Sequence, residues 1–169
     1  MVVAYFRRPS GRANLEVRFS QSEPYRFGER NYTLVRYRVG VYDAGSIAAD
    51  NVGVVLRDIE PRPRNASFRG DFPYLATPTT GEQSNRTRRI NPGHEELFEV
   101  LSFWWNYDRT MFLVGRLDTK TGTENDGAFV MEDGESWLLH YLVTSANANA
   151  LPVTLRATRV GDEVRLARL

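Results

Sequence analysis

Apolar and polar residues alternate with a period of two along most of this chain, the pattern of β-strands with one buried and one open face. In LEVRF, Leu15, Val17 and Phe19 share one face, with Glu16 and Arg18 on the other. In TLVRYRVGVYD, Val35, Tyr37, Val39 and Val41 point one way and Arg36 and Arg38 the other. NVGVVLRDIE places Val52, Val54 and Leu56 together, and WLLHYLVTS aligns Trp137, Leu139, Tyr141 and Val143. Leu97–Trp105, Thr110–Thr119 and the segment GAFVME supply further strand candidates. Near the C-terminus two alternating runs flank Gly161–Asp162. Glycine first in a two-residue loop predicts a hairpin turn, in a register that sets Ala157 opposite Leu166. INPGHEELFEVLSF admits a short helix capped by Asn91, but its β-branched and aromatic content beyond Leu97 favours a strand. The expectation is an all-β fold: an antiparallel sandwich of about seven to nine strands.

Pro61 to Ile90 interrupts the pattern. It carries Pro61, Pro63, Pro73 and Pro78, many small polar residues, and one apolar island, Phe72 to Ala76. A connection this long in a compact domain is either a functional loop or hides an irregular edge strand near Phe72–Leu75.

The stretch YRVGVYDAGSIAADNVGVVLRDIEP, Tyr37 to Pro61, reads as a seam between strands. Asp43-Ala44-Gly45 lets the chain leave the sheet, with positive φ expected at Gly45. Ala48 and Ala49 are small enough to pass beneath a neighbouring loop, and Asn51 is expected to tie the turn before Val52 re-enters the sheet. The positions Val39, Val41, Asp43, Gly45, Ala49, Asn51, Val52, Val54 and Leu56 resemble the hairpin of prokaryotic immunoglobulin-like modules of the CARDB and fibronectin-III kind. A closer likeness is to uncharacterised prokaryotic proteins that share this hairpin, a proline-rich insertion and the turn Asn91-Pro92-Gly93-His94-Glu95. The likeness covers Leu15 to Phe103, with the C-terminal hairpin only loosely similar. Asp43 departs from the Asn more usual there, and serves a turn equally well. The resemblance implies an immunoglobulin-like sandwich and no activity, since such folds host unrelated functions.

At 169 residues the chain suits a single domain over 15–169, with an N-terminal arm over 1–14 and the insertion at 61–90. Hydrophobic residues at 41% suffice for a real core. A net charge of +1 argues against a strongly basic nucleic-acid binder. Lys120 is the only lysine among 22 basic residues; the arginines are spread along the chain, as a coding bias would leave them. Cysteine is absent, which excludes disulfides, thiolate metal sites and cysteine nucleophiles. The apolar stretch before Arg7 is too short for a signal core, and no run is long enough to span a bilayer. A soluble chain is therefore expected, with its compartment unassigned.

Candidate chemistry is sparse. His94, beside Glu95 and Glu96, has no second histidine near it, and His140 lies on the open face between Leu138 and Leu142, so no metal is expected. No nucleophile elbow or phosphate-binding glycine motif is present, and DTKTGTENDG misses the calcium-loop spacing. MEDGES reads as a turn. The asparagines of three N-x-S/T triplets, Asn31, Asn65 and Asn85, read as chance occurrences. No enzyme activity and no cofactor are expected.

Two features remain as binding candidates. FWWNYDR carries Trp104 and Trp105, which point to opposite faces of a strand, so at most one needs to be core. With Tyr107 or Trp137 the other would form a platform for a sugar ring or a protein partner. The competing arrangement buries one tryptophan and covers the other with the 61–90 segment. Second, Arg86, Arg88 and Arg89, with Arg62, Arg64 and Arg69, face only Asp71 and Glu82 within the insertion. That makes an anion patch, although without any nucleic-acid fold motif a nucleic-acid partner is not expected. The sequence thus points to a non-catalytic binding or structural module. It would engage a protein partner, or a second copy of itself, through a sheet edge, the long loop or the tryptophan face. The alternative is a carbohydrate-binding module using the Trp/Tyr platform on a polysaccharide.

Overall fold

The computed structural model describes residues 11–28, 34–62, 74–80, 85–106, 109–113, 128–161 and 163–169. They are all-β, without a helix, and so without one long and apolar enough to cross a membrane. The strands are β1 (Leu15–Arg18), β2 (Arg26–Gly28), β3 (Leu34–Asp43), β4 (Ala49–Glu60), β5 (Tyr74–Leu75), β6 (Thr77–Pro78) and β7 (Arg88–Ile90). They continue with β8 (Glu95–Asn106), β9 (Arg109–Leu113), β10 (Ala128–Val130), β11 (Ser136–Thr144), β12 (Leu151–Val160) and β13 (Glu163–Arg168). These thirteen segments exceed the expected seven to nine because β2, β5, β6, β7 and β10 are fragments of two or three residues.

Two antiparallel sheets result. The seven-stranded sheet runs β1-β3-β8-β9-β10, with β2 also on β3 and β6 also on β8. The six-stranded sheet runs β13-β12-β11-β4-β5, with β7 also on β4. The alternating residues fill one common core: Tyr37, Val39 and Val41 of β3 and Phe98 and Phe103 of β8 meet Leu56, Trp137, Leu139 and Leu155 of the other sheet. Each large apolar side chain so buried contributes about 1.5–3 kcal/mol. Two buried tyrosines stitch the sheets together. Tyr37 donates its hydroxyl hydrogen to the Val164 carbonyl, and Tyr141 donates to the Val100 carbonyl at 2.5 Å. Burial pushes both phenols above their ordinary pKa.

The 61–90 insertion is partly sheet. Tyr74–Leu75 pairs with β4 in one sheet and Thr77–Pro78 with β8 in the other, so the chain changes sheets at buried Ala76. Pro61–Arg62 lie at its start, and 63–73 and 81–84 fall outside the described residues. Of the arm, Gly11–Asn14 is docked: Ala13 is buried, its N–H donates to the Asn147 carbonyl, and Arg12 Nη1 donates to Asn149 Oδ1. The C-terminal hairpin has the expected register, Ala157 opposite Leu166, and Gly161 takes φ +58°.

The seam is built differently from expectation. Gly45 does not adopt positive φ; glycine is needed there for space, since a Cβ would lie 2.9 Å from the Asn14 backbone nitrogen. Its N–H donates to Asp43 Oδ1 at 2.9 Å, which folds the turn back on the end of β3. Asn51 is exposed at φ +52°, at the irregularity where β4 meets β7. The amide that ties this turn is Asn147, whose Oδ1 accepts from Asp50 N–H and whose Nδ2 donates to the Ala48 carbonyl, both at 2.8 Å.

Candidate partner-binding face

Alternation that sends Tyr37, Val39 and Val41 inward sends Arg36, Arg38, Gly40 and Tyr42 to the outside of the seven-stranded sheet. Pairing with β8 sets Arg38 opposite Glu99 and Tyr42 opposite Glu95, while β1 brings Glu16 and Arg18 alongside on the other edge. A ladder of planar groups follows. The Arg18 guanidinium lies 3.6 Å above the Tyr42 ring, and that of Arg38 lies 5.1 Å from the Phe27 ring centre. Such stacks are each worth about 0.5–2 kcal/mol and hold the cation flat.

Glu99 anchors the ladder. It is only 7% exposed, and its Oε1 accepts from Arg36 Nη1 at 2.8 Å with Arg38 Nη2 at 3.7 Å. A carboxylate buried this deeply is tolerable only when its charge is answered, and two guanidinium groups answer it. Next to it, Tyr25 donates its hydroxyl hydrogen to Glu95 Oε1 at 2.9 Å. Burial, then the hydrogen bond to the Glu95 carboxylate, raises the Tyr25 phenol pKa. This pair lies directly over Gly40: a Cβ there would come within 1.8 Å of Glu95 Oε1 and 3.0 Å of the Tyr25 ring. A glycine inside a strand here marks a close approach. The face therefore presents exposed Arg18 and Phe27 on a fixed bed of Tyr25, Tyr42, Arg36, Arg38, Glu95 and Glu99.

Trp137 is buried, 3% exposed, in the common core, so it does not offer a ring to any ligand; its position on the apolar face of β11 is the reason. Trp104 and Trp105 sit near the C-terminal end of β8, opposite Met111 and Thr110 of β9. Their side chains, and Tyr107 altogether, lie outside the described residues. Arg86 donates to Thr77 Oγ1. Arg88 donates to the carbonyls of Thr80, Asn85 and Thr87, so its fork fastens the insertion to itself. Arg89 is exposed, with Nη1 3.6 Å from Asp50 Oδ1. Each of the three arginines thus has an acceptor within the chain.

Among the described residues no group of three or more His, Asp or Glu is arranged to hold a metal ion. His94 stands exposed at the Pro92-Gly93 turn, its Nδ1 3.1 Å from the Pro92 carbonyl. His140 Nδ1 lies 3.2 Å from Thr154 Oγ1, and its Nε2, which makes no hydrogen bond among the described residues, lies 3.7 Å from Glu60 Oε2. The arginine–aromatic ladder was not foreseen in the sequence. Its outward half, Arg36, Arg38 and Tyr42, is visible in the alternation of β3, but its partners on β8 are about sixty residues away. Comparison with protein-family models and with curated proteins finds no match to this chain.

Proposed function

We propose that this protein is a non-catalytic binding module that recognises a protein partner through the outer face of its seven-stranded sheet. The observation that carries the reading is the exposed Arg18 guanidinium stacked 3.6 Å over Tyr42, within a bed of paired Arg, Tyr and Glu side chains. Arginine and tyrosine dominate interface hot spots because they offer large, stiff, amphipathic surfaces. Here their rotamers are fixed in advance, which lowers the entropy cost of docking. Three arginines and three glutamates on this face suit a protein surface carrying both signs of charge and planar groups.

The fold we assign is an immunoglobulin-like β-sandwich. Strand order is compatible with it: β1-β3-β8 in one sheet and β12-β11-β4 in the other can be matched to three strands of each sheet of such modules, whereas β13 and the β9-β10 hairpin have no counterpart there. The seam resembling CARDB and fibronectin-III modules supports it. The carbohydrate-binding alternative loses Trp137 to the core and rests on Trp104, Trp105 and Tyr107.

The test is affinity capture from lysate and envelope fractions of the source organism, with wild type beside Arg18→Glu. Binding to a polysaccharide panel is measured in parallel. A protein retained by wild type and lost by Arg18→Glu supports the reading. Polysaccharide retention without a protein, abolished in a Trp104→Ala/Trp105→Ala variant, would move the sugar-binding reading to first place.

A further inference from the structure

The outside of the six-stranded sheet has a different character. Core-facing Trp137, Leu139, Tyr141 and Val143 leave Leu138, His140, Leu142 and Thr144 on its open side. Register then lines up an apolar row across four strands: Pro152, Leu142, Val55 and Leu75. Leu75 is 41% exposed and Pro152 is exposed, while Leu142 and Val55 are half-buried. Two rows away, Arg156, Leu138 and Glu60 form a second line with an exposed cation at one end and an exposed anion at the other. Between them runs Thr154, His140 and Asp58. Arg165 of β13 stands opposite Thr158, one row past Arg156, so positive charge gathers on the β12–β13 side and carboxylates on the β4 side. Arg57, the extra residue where β4 slips past His140/Tyr141, is the exception on the acidic side.

We infer that this face pairs with the same face of a second copy of the chain, about a two-fold axis running along β11. That operation exchanges the β12 and β4 sides. Arg156 of each copy then meets Glu60 of the other, Leu138 meets Leu138, and the apolar row covers its own image. An isologous contact needs such self-complementarity, and a face with acid on one side, base on the other and leucines along the axis provides it. Glu60 is already drawn over the face, with Oε2 3.7 Å from His140 Nε2. The long strands β12, β11 and β4, about 4.8 Å apart, with the nine residues of β11 at about 3.4 Å each, give a face of roughly 14 by 30 Å, widened by the six residues of β13 and the two of β5. That is below the ~800 Å² per partner of a standard interface and suits a weak dimer.

The test is sedimentation equilibrium over the micromolar range on wild type, Arg156→Glu, Glu60→Arg, the Arg156→Glu/Glu60→Arg double variant, and Leu142→Glu. Circular dichroism confirms that each is folded. Wild type is expected to dimerise. Each single charge reversal weakens the dimer about ten-fold or more, the double reversal restores it to within about three-fold, and Leu142→Glu abolishes it. Wild type remaining a monomer throughout overturns the inference. A dimer indifferent to both Arg156→Glu and Leu142→Glu also overturns it, since association would then use another surface.

Discussion

Tyr141 shows how one side chain can make stability depend on pH. Its ring completes the core, and its hydroxyl reaches across to the Val100 carbonyl at 2.5 Å. Burial raises its pKa, so the folded protein keeps the phenol proton where the unfolded chain gives it up. The stabilising effect is complete below the ordinary phenol pKa of about 10 and is lost as pH rises beyond it. Tyr37 acts in the same direction, chiefly through burial. Denaturant titrations are therefore expected to show stability falling above about pH 10. Tyr141→Phe should lower stability at neutral pH by about 1 kcal/mol, for the lost hydrogen bond, yet flatten the alkaline decline. An unchanged alkaline slope in that variant would contradict the assignment. Gly45 teaches a related lesson: the need for glycine is legible in the sequence, but its reason is not. Crowding by Asn14, about thirty residues upstream, decides it rather than the local backbone angle.

Among elements, β3 was the most legible and β6 the least. Three of the inward residues of β3 are buried, and Val35 is half-buried, because strict alternation over ten residues leaves one register. β5 was visible only as part of the apolar island Phe72 to Ala76 and β6 not at all, since two-residue strands carry no period, and the crossing at Ala76 depends on strands distant in sequence. The outward face of β3 was legible as polar but not as a site, because a lone strand cannot reveal what its arginines meet. They meet Glu99, which joins β3 to β8 and stands opposite Thr77 of β6. Glu99→Ala leaves two part-buried guanidinium groups side by side without their shared carboxylate. It is expected to cost about 3 kcal/mol, read as a lowered denaturation midpoint with unchanged m-value. A loss below about 0.5 kcal/mol would show that solvent, rather than Glu99, compensates these charges.

For the molecule as a whole, one core supports two open faces of unlike chemistry. The sheets are also laced along one side: Arg168 Nη1 donates to the Val17 carbonyl of β1, and Arg26 lies 3.8 Å from Glu163. An arginine on an edge carbonyl removes a group that would otherwise template another strand, which leaves faces rather than this edge for association. The ladder face, in this account, takes a protein partner, while the leucine-centred face takes a second copy. The most direct measurement is the affinity of the captured partner for wild type, Arg18→Glu and Leu142→Glu at concentrations that keep all three monomeric. Arg18→Glu is predicted to weaken binding at least ten-fold, with Leu142→Glu indistinguishable from wild type. Equal affinity for wild type and Arg18→Glu would contradict the proposal that the arginine–aromatic face is the binding surface.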